Sequence, residues 1–189
     1  MFGEPNAASI VEVAGDDVTS VVTLVGNPRS GSRTRSLADA AVAELSARAV
    51  LDEPRVLELS ELVGITFSAE PAVAAAPVED PFAVVRAARL LVVATPTYKG
   101  TYTGLLKVFL DRFGHRELAG LVAVPVAIAA SEAHRQSVGA TLTDLLVELG
   151  ATVPASPLAV LEPDVADAAA KWASAHADAV IAALNLSAE

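Results

Sequence analysis

Two short segments concentrate the groups that could do chemistry: Gly26 to Thr34, reading G-N-P-R-S-G-S-R-T, and Ala94 to Lys107, reading A-T-P-T-Y-K-G-T-Y-T-G-L-L-K. The first sets Ser30, Ser32 and Thr34 beside Arg29 and Arg33, with Gly31 allowing close backbone approach and Pro28 stiffening the entry. A phosphate monoester carries nearly two negative charges, so its site needs several converging donors. Helix N-terminal N–H groups, short hydroxyls and a guanidinium supply them without a metal. In the second segment Pro96 biases Thr95 toward extended geometry, and Thr97, Tyr98, Lys99, Gly100 and Thr101 make a polar loop with one aromatic face. Such a loop can border a flat ring.

Competing readings of the first loop are weaker. A strand-to-helix turn often carries a capping Ser or Thr, but capping needs one hydroxyl and this loop has three with two arginines among them. Gly26 and Gly31 have the G-x-x-x-x-G spacing of a nucleotide P-loop, yet Ser32 and Arg33 stand where that motif requires Lys and then Ser or Thr. The third strand ends in Ala94-Thr95-Pro96 instead of an acid that could hold magnesium. A G-x-G-x-x-G turn is also missing, which weakens a dinucleotide-fold reading.

Each segment follows an apolar run and opens a helix. Val21 to Val25 reads as a strand buried on both faces, followed by a helix from about Thr34 to Ala49. Pro54 to Leu59 reads as an edge strand, 60–80 as an Ala/Pro-rich surface loop, and Pro81 to Ala88 as a helix. Leu90 to Ala94 is the third strand and Thr103 to Phe113 its helix. The fourth strand falls within Leu121 to Ala130, beginning near Val124, with Pro125 expected among its first residues. A helix from Arg135 to Leu149 stops at Gly150, residues 152–161 supply a fifth strand, and a last helix runs from Asp164, its expected N-cap, to about Leu184. This alternation predicts an α/β, flavodoxin-like three-layer fold, with a five-stranded parallel sheet in order 2-1-3-4-5 and helices on both faces. The loops after strands one, three and four then meet at the carboxyl end of the sheet, beside its switch point. Residues 1–19 read as a loosely ordered extension and 20–189 as one domain.

Composition narrows the class. A chain of 189 residues, 53% hydrophobic, can fill one core. Its net charge of -10 and pI near 4.7 disfavour nucleic-acid binding, which demands clustered Lys and Arg. Cysteine is absent and the three histidines are dispersed, so disulfides, thiolate sites and a His-rich zinc site are not expected. No apolar stretch has membrane-spanning length, and the first twenty residues lack a basic start and an apolar signal core. A cytoplasmic location is the expectation.

Together the loops resemble those of the NAD(P)H-dependent FMN reductase family, in particular the flavin reductases that serve two-component alkanesulfonate monooxygenases. The matching residues are Gly26-Asn27-Pro28-Arg29 with Ser32 and Thr34, then Pro96-Thr97-Tyr98-Lys99 with Tyr102, Gly104, Leu105, Leu106 and Lys107. The similarity in element order covers about residues 20–185. It implies that Arg29, Ser32 and Thr34 bind the FMN phosphate with Arg33 nearby. It also implies that Pro96, Thr97, Tyr98, Lys99, Gly100 and Thr101 border the isoalloxazine, their backbone amides toward the ring, and that Ser131 belongs to a third wall. Many relatives have a Gly-Gly pair there, where this chain reads Ala130-Ser131-Glu132-Ala133-His134.

The implied reductant is NADH or NADPH, and since the flavin performs the hydride chemistry no catalytic acid or base is expected. The implied partners are small-molecule flavin and nicotinamide, with a flavin-dependent monooxygenase as recipient of reduced flavin. The alternatives are a flavodoxin-like electron carrier, a quinone or azo reductase using bound FMN, and a regulatory flavin binder. Aromatic residues make up only 4% of the chain and Tyr98 alone falls at a ring position, which favours an open site over a carrier's enclosed ring. The apolar helix bearing Leu105, Leu106, Phe109, Leu110 and Phe113 suggests a homodimer or homotetramer. His176 and Trp172 share a helix face and read as packing.

Overall fold

Continuous apolar, β-branched runs need cover on both faces, and they occupy the centre of the sheet. A computed structural model describes residues 20–62 and 80–186. Its strands are β1 (Val21–Val25), β2 (Arg55–Glu58), β3 (Leu90–Pro96), β4 (Val122–Ala129) and β5 (Leu158–Leu161), all parallel, in the order β2-β1-β3-β4-β5. The helices are α1 (Arg33–Ser46), α2 (Leu59–Leu62), α3 (Pro81–Arg86), α4 (Gly104–Leu110), α5 (Glu132–Glu148) and α6 (Ala168–Leu186). The flavodoxin-like α/β arrangement and the edge position of β2 match the sequence expectation. The expected extension at 1–19 lies outside the described residues, as does 63–79 of the expected surface loop; 60–62 of that loop belong to α2.

Alternation along the strands divides the core in two. Leu37, Ala41 and Leu45 of α1 and Trp172, Val180 and Leu184 of α6 pack on one face against Val92, Val124 and Val126. On the other face Val85, Leu106, Leu110, Leu142 and Leu146 cover Val22, Leu24, Leu91 and Val93. The apolar surplus of α4 is absorbed here: Leu105, Leu106, Phe109, Leu110 and Phe113 are all buried within the chain. Phe82 of α3 stacks on Phe109 at 4.6 Å between ring centroids and meets Phe113 edge-on. These residues do not by themselves require a second copy.

Two expectations are corrected. Pro125 stands inside β4, paired with Val93 in register, and not at its start. Ala123 turns its N–H toward Thr152, and Pro125, two residues on, faces the same side. There β5 has not yet begun, since its pairing starts at Val126 with Leu158, so the missing N–H interrupts no ladder bond. The second correction concerns Asp164, which ends a short 3₁₀ turn, Glu162–Asp164; α6 begins only at Ala168, after Asp167 at φ 60. Trp172 is buried and donates its indole N–H to the Ser156 carbonyl at 2.8 Å, with His176 tilted against it at 5.8 Å.

Helix α5 starts at Glu132, earlier than its apolar spacing suggests, because Ser131 caps it and Glu132 complements its N-terminal dipole. It closes with the Gly150 N–H on the Val147 carbonyl and the Ala151 N–H on Leu146, Gly150 taking φ 95. Hydrogen bonds from Arg135 first, then Gln136, pull the Glu132 carboxyl down to about 2. A depressed folded-state value contributes stability that is complete above the unfolded carboxyl range and fades as pH falls through about 2. Carboxyl titration by NMR should therefore place Glu132 near 2, and Arg135→Ala should move it up toward the ordinary glutamate range.

Candidate functional site: a cleft between two loops

The two loops are clamped to each other before either reaches the surface. The Gly26 N–H donates to the Ala94 carbonyl at 2.7 Å, and the Gly26 carbonyl accepts from the Thr103 hydroxyl at 2.5 Å. Thr103 is buried and caps α4: its Oγ1 accepts from the Leu106 N–H at 3.1 Å, while its own N–H donates to Thr95 Oγ1 at 3.2 Å. Thr103→Ala removes a helix cap and leaves two buried groups unpaired, so it should cost about 2 kcal/mol in chemical denaturation.

Beyond Gly26 the first loop is shaped by its own side chains. Asn27, almost fully buried, accepts the Arg29 N–H at 2.9 Å and donates through Nδ2 to Thr34 Oγ1 at 3.1 Å. Gly31 takes φ 61, the left-handed region that favours glycine, and its N–H donates to the Glu58 carboxylate at 3.0 Å. Glu58 is buried at the end of β2 and also binds the Arg35 guanidinium at 2.9 Å. A buried carboxylate needs such a pair of partners, and here it fixes the loop tip to α1. The hydrogen bonds it donates to Asp39 foremost, then to Glu58, raise Arg35 above its usual value in spite of its partial burial. Ser30 donates to Glu61 at 2.7 Å, and Ser32 caps α1 by accepting the Arg35 N–H.

Several donors remain after this local bonding. Among the described residues, the backbone N–H groups of Ser32, Arg33 and Thr34 have no protein acceptor, and the exposed Arg29 guanidinium has no carboxylate partner. These amides open α1, so its positive dipole end adds to the guanidinium.

The second loop is held as firmly. Thr97 donates both its N–H and its hydroxyl to the Ile128 carbonyl, at 2.9 and 3.0 Å. Tyr98 and Thr101 exchange backbone hydrogen bonds across Lys99 at φ 53 and Gly100 at φ 90, two positive values that define a type I′ turn. Between the loops lies a cleft of about 420 Å³. Its polar end is built from Arg29, Ser32, Arg33 and Thr34, and its wall from Pro96, Thr97, Tyr98, Ile128 and Ala130. It opens at the carboxyl end of the sheet, where the strand order reverses between β1 and β3.

The structure thus brings seven of the sequence-predicted residues together: Arg29, Ser32, Arg33, Thr34, Pro96, Thr97 and Tyr98. Lys99, Gly100, Thr101 and Ser131 do not line the cleft. Lys99 and Gly100 form the corner of the I′ turn, and the Thr101 hydroxyl is bonded to Thr141 of α5 at 2.9 Å. Ser131 is engaged as the α5 cap, accepting the His134 N–H, while Ala130 before it forms the wall. Of the amides expected to face a ring, those of Thr97, Tyr98 and Thr101 are already bonded to protein carbonyls.

Sequence reasoning missed Glu162, which lines the cleft and pairs with Arg33 at 3.1 Å. No local motif marks it; only strand register brings it there. Ile128 and Ala130 were legible as the end of the fourth strand but were not assigned to the wall.

Free helix amides, short hydroxyls and one unpaired guanidinium form the donor set that a phosphomonoester such as FMN requires. The neighbouring wall of proline, tyrosine and aliphatic side chains can receive a flat ring. On both counts the residues fit a flavin mononucleotide.

Comparisons with known proteins agree with this fit. A family model described as NADPH-dependent FMN reductase matches residues 19–165. An FMN reductase (NADPH) of Escherichia coli K12 is 35% identical over 135 residues, 69% of this chain and 67% of that protein. An NADH-dependent FMN reductase of Pseudomonas putida is 34% identical over 118 residues, 62% of this chain, and the match spans 63% of that relative's length. Among solved structures, the apo form of an NADH:FMN oxidoreductase superposes with a TM-score of 0.67 at 26% identity, covering 89% of this chain and 90% of the other. An oxidoreductase from Corynebacterium diphtheriae gives the same TM-score of 0.67 at 27% identity, covering 89% and 98%. No helix among the described residues is long and apolar enough to cross a membrane.

Proposed function

This chain belongs to the NADPH-dependent FMN reductase family, and we propose that it oxidises NADH or NADPH to reduce FMN seated between the two loops. The observation that carries the reading is the convergence, in one cleft, of the free α1 amides and Arg29 with the Pro96-Thr97-Tyr98 wall. Arg29 and the amides of Ser32, Arg33 and Thr34 hold the phosphate, with the Ser32 and Thr34 hydroxyls beside them. Pro96, Thr97, Tyr98, Ile128 and Ala130 orient the ring, and the two bonds from Thr97 to Ile128 fix that wall before any ligand arrives. When bound, FMN supplies the hydride acceptor, and the protein's task is binding and orientation.

Tyr98 is 42% exposed, and among the described residues the cleft holds no second aromatic residue that would cover a ring. That openness supports access by a nicotinamide and favours a reductase over an electron carrier. Delivery of reduced flavin to a monooxygenase, a cytoplasmic location, a single domain from residue 20 onward and a homodimeric or homotetrameric state belong to the same proposal. Exposed Val108 and Val147 support the last of these.

The test is steady-state oxidation of NADH or NADPH, followed by absorbance near about 340 nm, with and without added FMN. Flavin-dependent oxidation by the purified protein alone is expected. A carrier would give none without a partner reductase.

A further inference from the structure

Among the described residues three carboxylates touch the phosphate-binding loop, and one of these lines the cleft on its ligand side. Glu58 and Glu61 hold Gly31 and Ser30 from behind and are absent from the cleft lining, whereas Glu162 lines it together with Arg33. Register explains the placement. Leu161 pairs with Ala129, so Glu162 follows level with Ala130, itself part of the wall. The guanidinium of Arg33 and the carboxylate of Glu162 meet at 3.1 Å with side chains 64% and 49% exposed. An ion pair so open to water is weak and readily exchanged for a stronger anion.

We propose that Glu162 sets how strongly the cleft discriminates a flavin 5′-phosphate from the dephosphorylated flavin, by competing with phosphate for Arg33. The inference rests on the reading of the cleft as an FMN site. With Glu162 present, Arg33 is neutralised and Arg29 is the loop's uncompensated cation. A bound phosphate dianion must displace the carboxylate from Arg33 or bind without that residue, and in both cases part of the attraction Arg33 could supply is lost. Glu162 thereby lowers affinity for FMN while leaving riboflavin, which lacks the phosphate, unaffected.

The test is fluorescence titration of FMN and riboflavin against the full chain, Glu162→Gln, Arg33→Ala and the double variant, at low and physiological salt. Glu162→Gln should tighten FMN roughly three- to tenfold at low salt and less at high salt, with riboflavin unchanged. In the Arg33→Ala background the same substitution should lose most of that effect. The proposal is overturned if Glu162→Gln leaves FMN unchanged, if it shifts both ligands equally, or if its effect persists without Arg33. If the parent protein binds FMN no better than riboflavin, the phosphate assignment itself fails and takes the proposal with it. Both side chains are exposed, so misfolding does not confound the variants.

Discussion

Arg29→Ala should raise the dissociation constant for FMN by roughly 10- to 150-fold while leaving riboflavin within about twofold, because a charge-assisted hydrogen bond to phosphate contributes about 1.5–3 kcal/mol. Its selectivity follows from the bonding of the loop. Glu162 occupies Arg33 and Glu58 occupies Arg35, so Arg29 is the cation that the loop's carboxylates leave free. The side chain is exposed, and the backbone N–H of Arg29, which Asn27 accepts, survives the substitution. Unfolding midpoints should therefore stay within a few tenths of a kcal/mol of the parent, as for other exposed positions. Ser32→Ala should act in the same direction but also loosen the α1 cap, adding about 1 kcal/mol of destabilisation. Equal losses for FMN and riboflavin in Arg29→Ala would contradict the assignment.

Gly26→Ala is expected to be the most destabilising single-atom addition at the site, at about 3 kcal/mol or more. Gly26 has no positive φ, so the demand is for space: a Cβ would stand 2.6 Å from the Leu106 Cβ, a contact that cannot persist without moving α4. That helix is anchored at the same point by Thr103, whose hydroxyl reaches the Gly26 carbonyl. Displacing it disturbs both loops at once, so FMN affinity should fall along with stability. Truncation of Leu106 to alanine should give no rescue, because the clash is with Cβ, which alanine retains. Urea unfolding measures the effect, and a midpoint equal to that of the parent would refute the close packing.

Why much of this was readable from the sequence, and some of it was not, follows from how far apart the determinants lie. Continuous apolar runs such as Val21–Val25 and Leu90–Ala94 announce strands buried on both sides, and their alternation with helices leaves few topologies. The loops were legible because local chemistry acts within about ten residues: Asn27 bonds Arg29 and Thr34, and Ser32 caps the helix beginning at Arg33. Glu162 was not, since its place depends on pairing between β4 and β5, some thirty residues apart in sequence. Pro125 misled for a related reason. Its missing N–H is harmless only because β5 begins one residue later in register, a fact that no window around Pro125 contains. The polarity of the Lys99-Gly100 turn suits a ligand loop, while its two positive φ values close it into a turn whose residues do not line the cleft.

The central claim is that the two loops jointly seat one FMN, and a crystal structure of the protein soaked with FMN tests it most directly. The phosphate is expected against Arg29 and the amides of Ser32 to Thr34, with the isoalloxazine along Pro96, Thr97 and Tyr98. A phosphate bound elsewhere, or a ring that does not reach that wall, would contradict it.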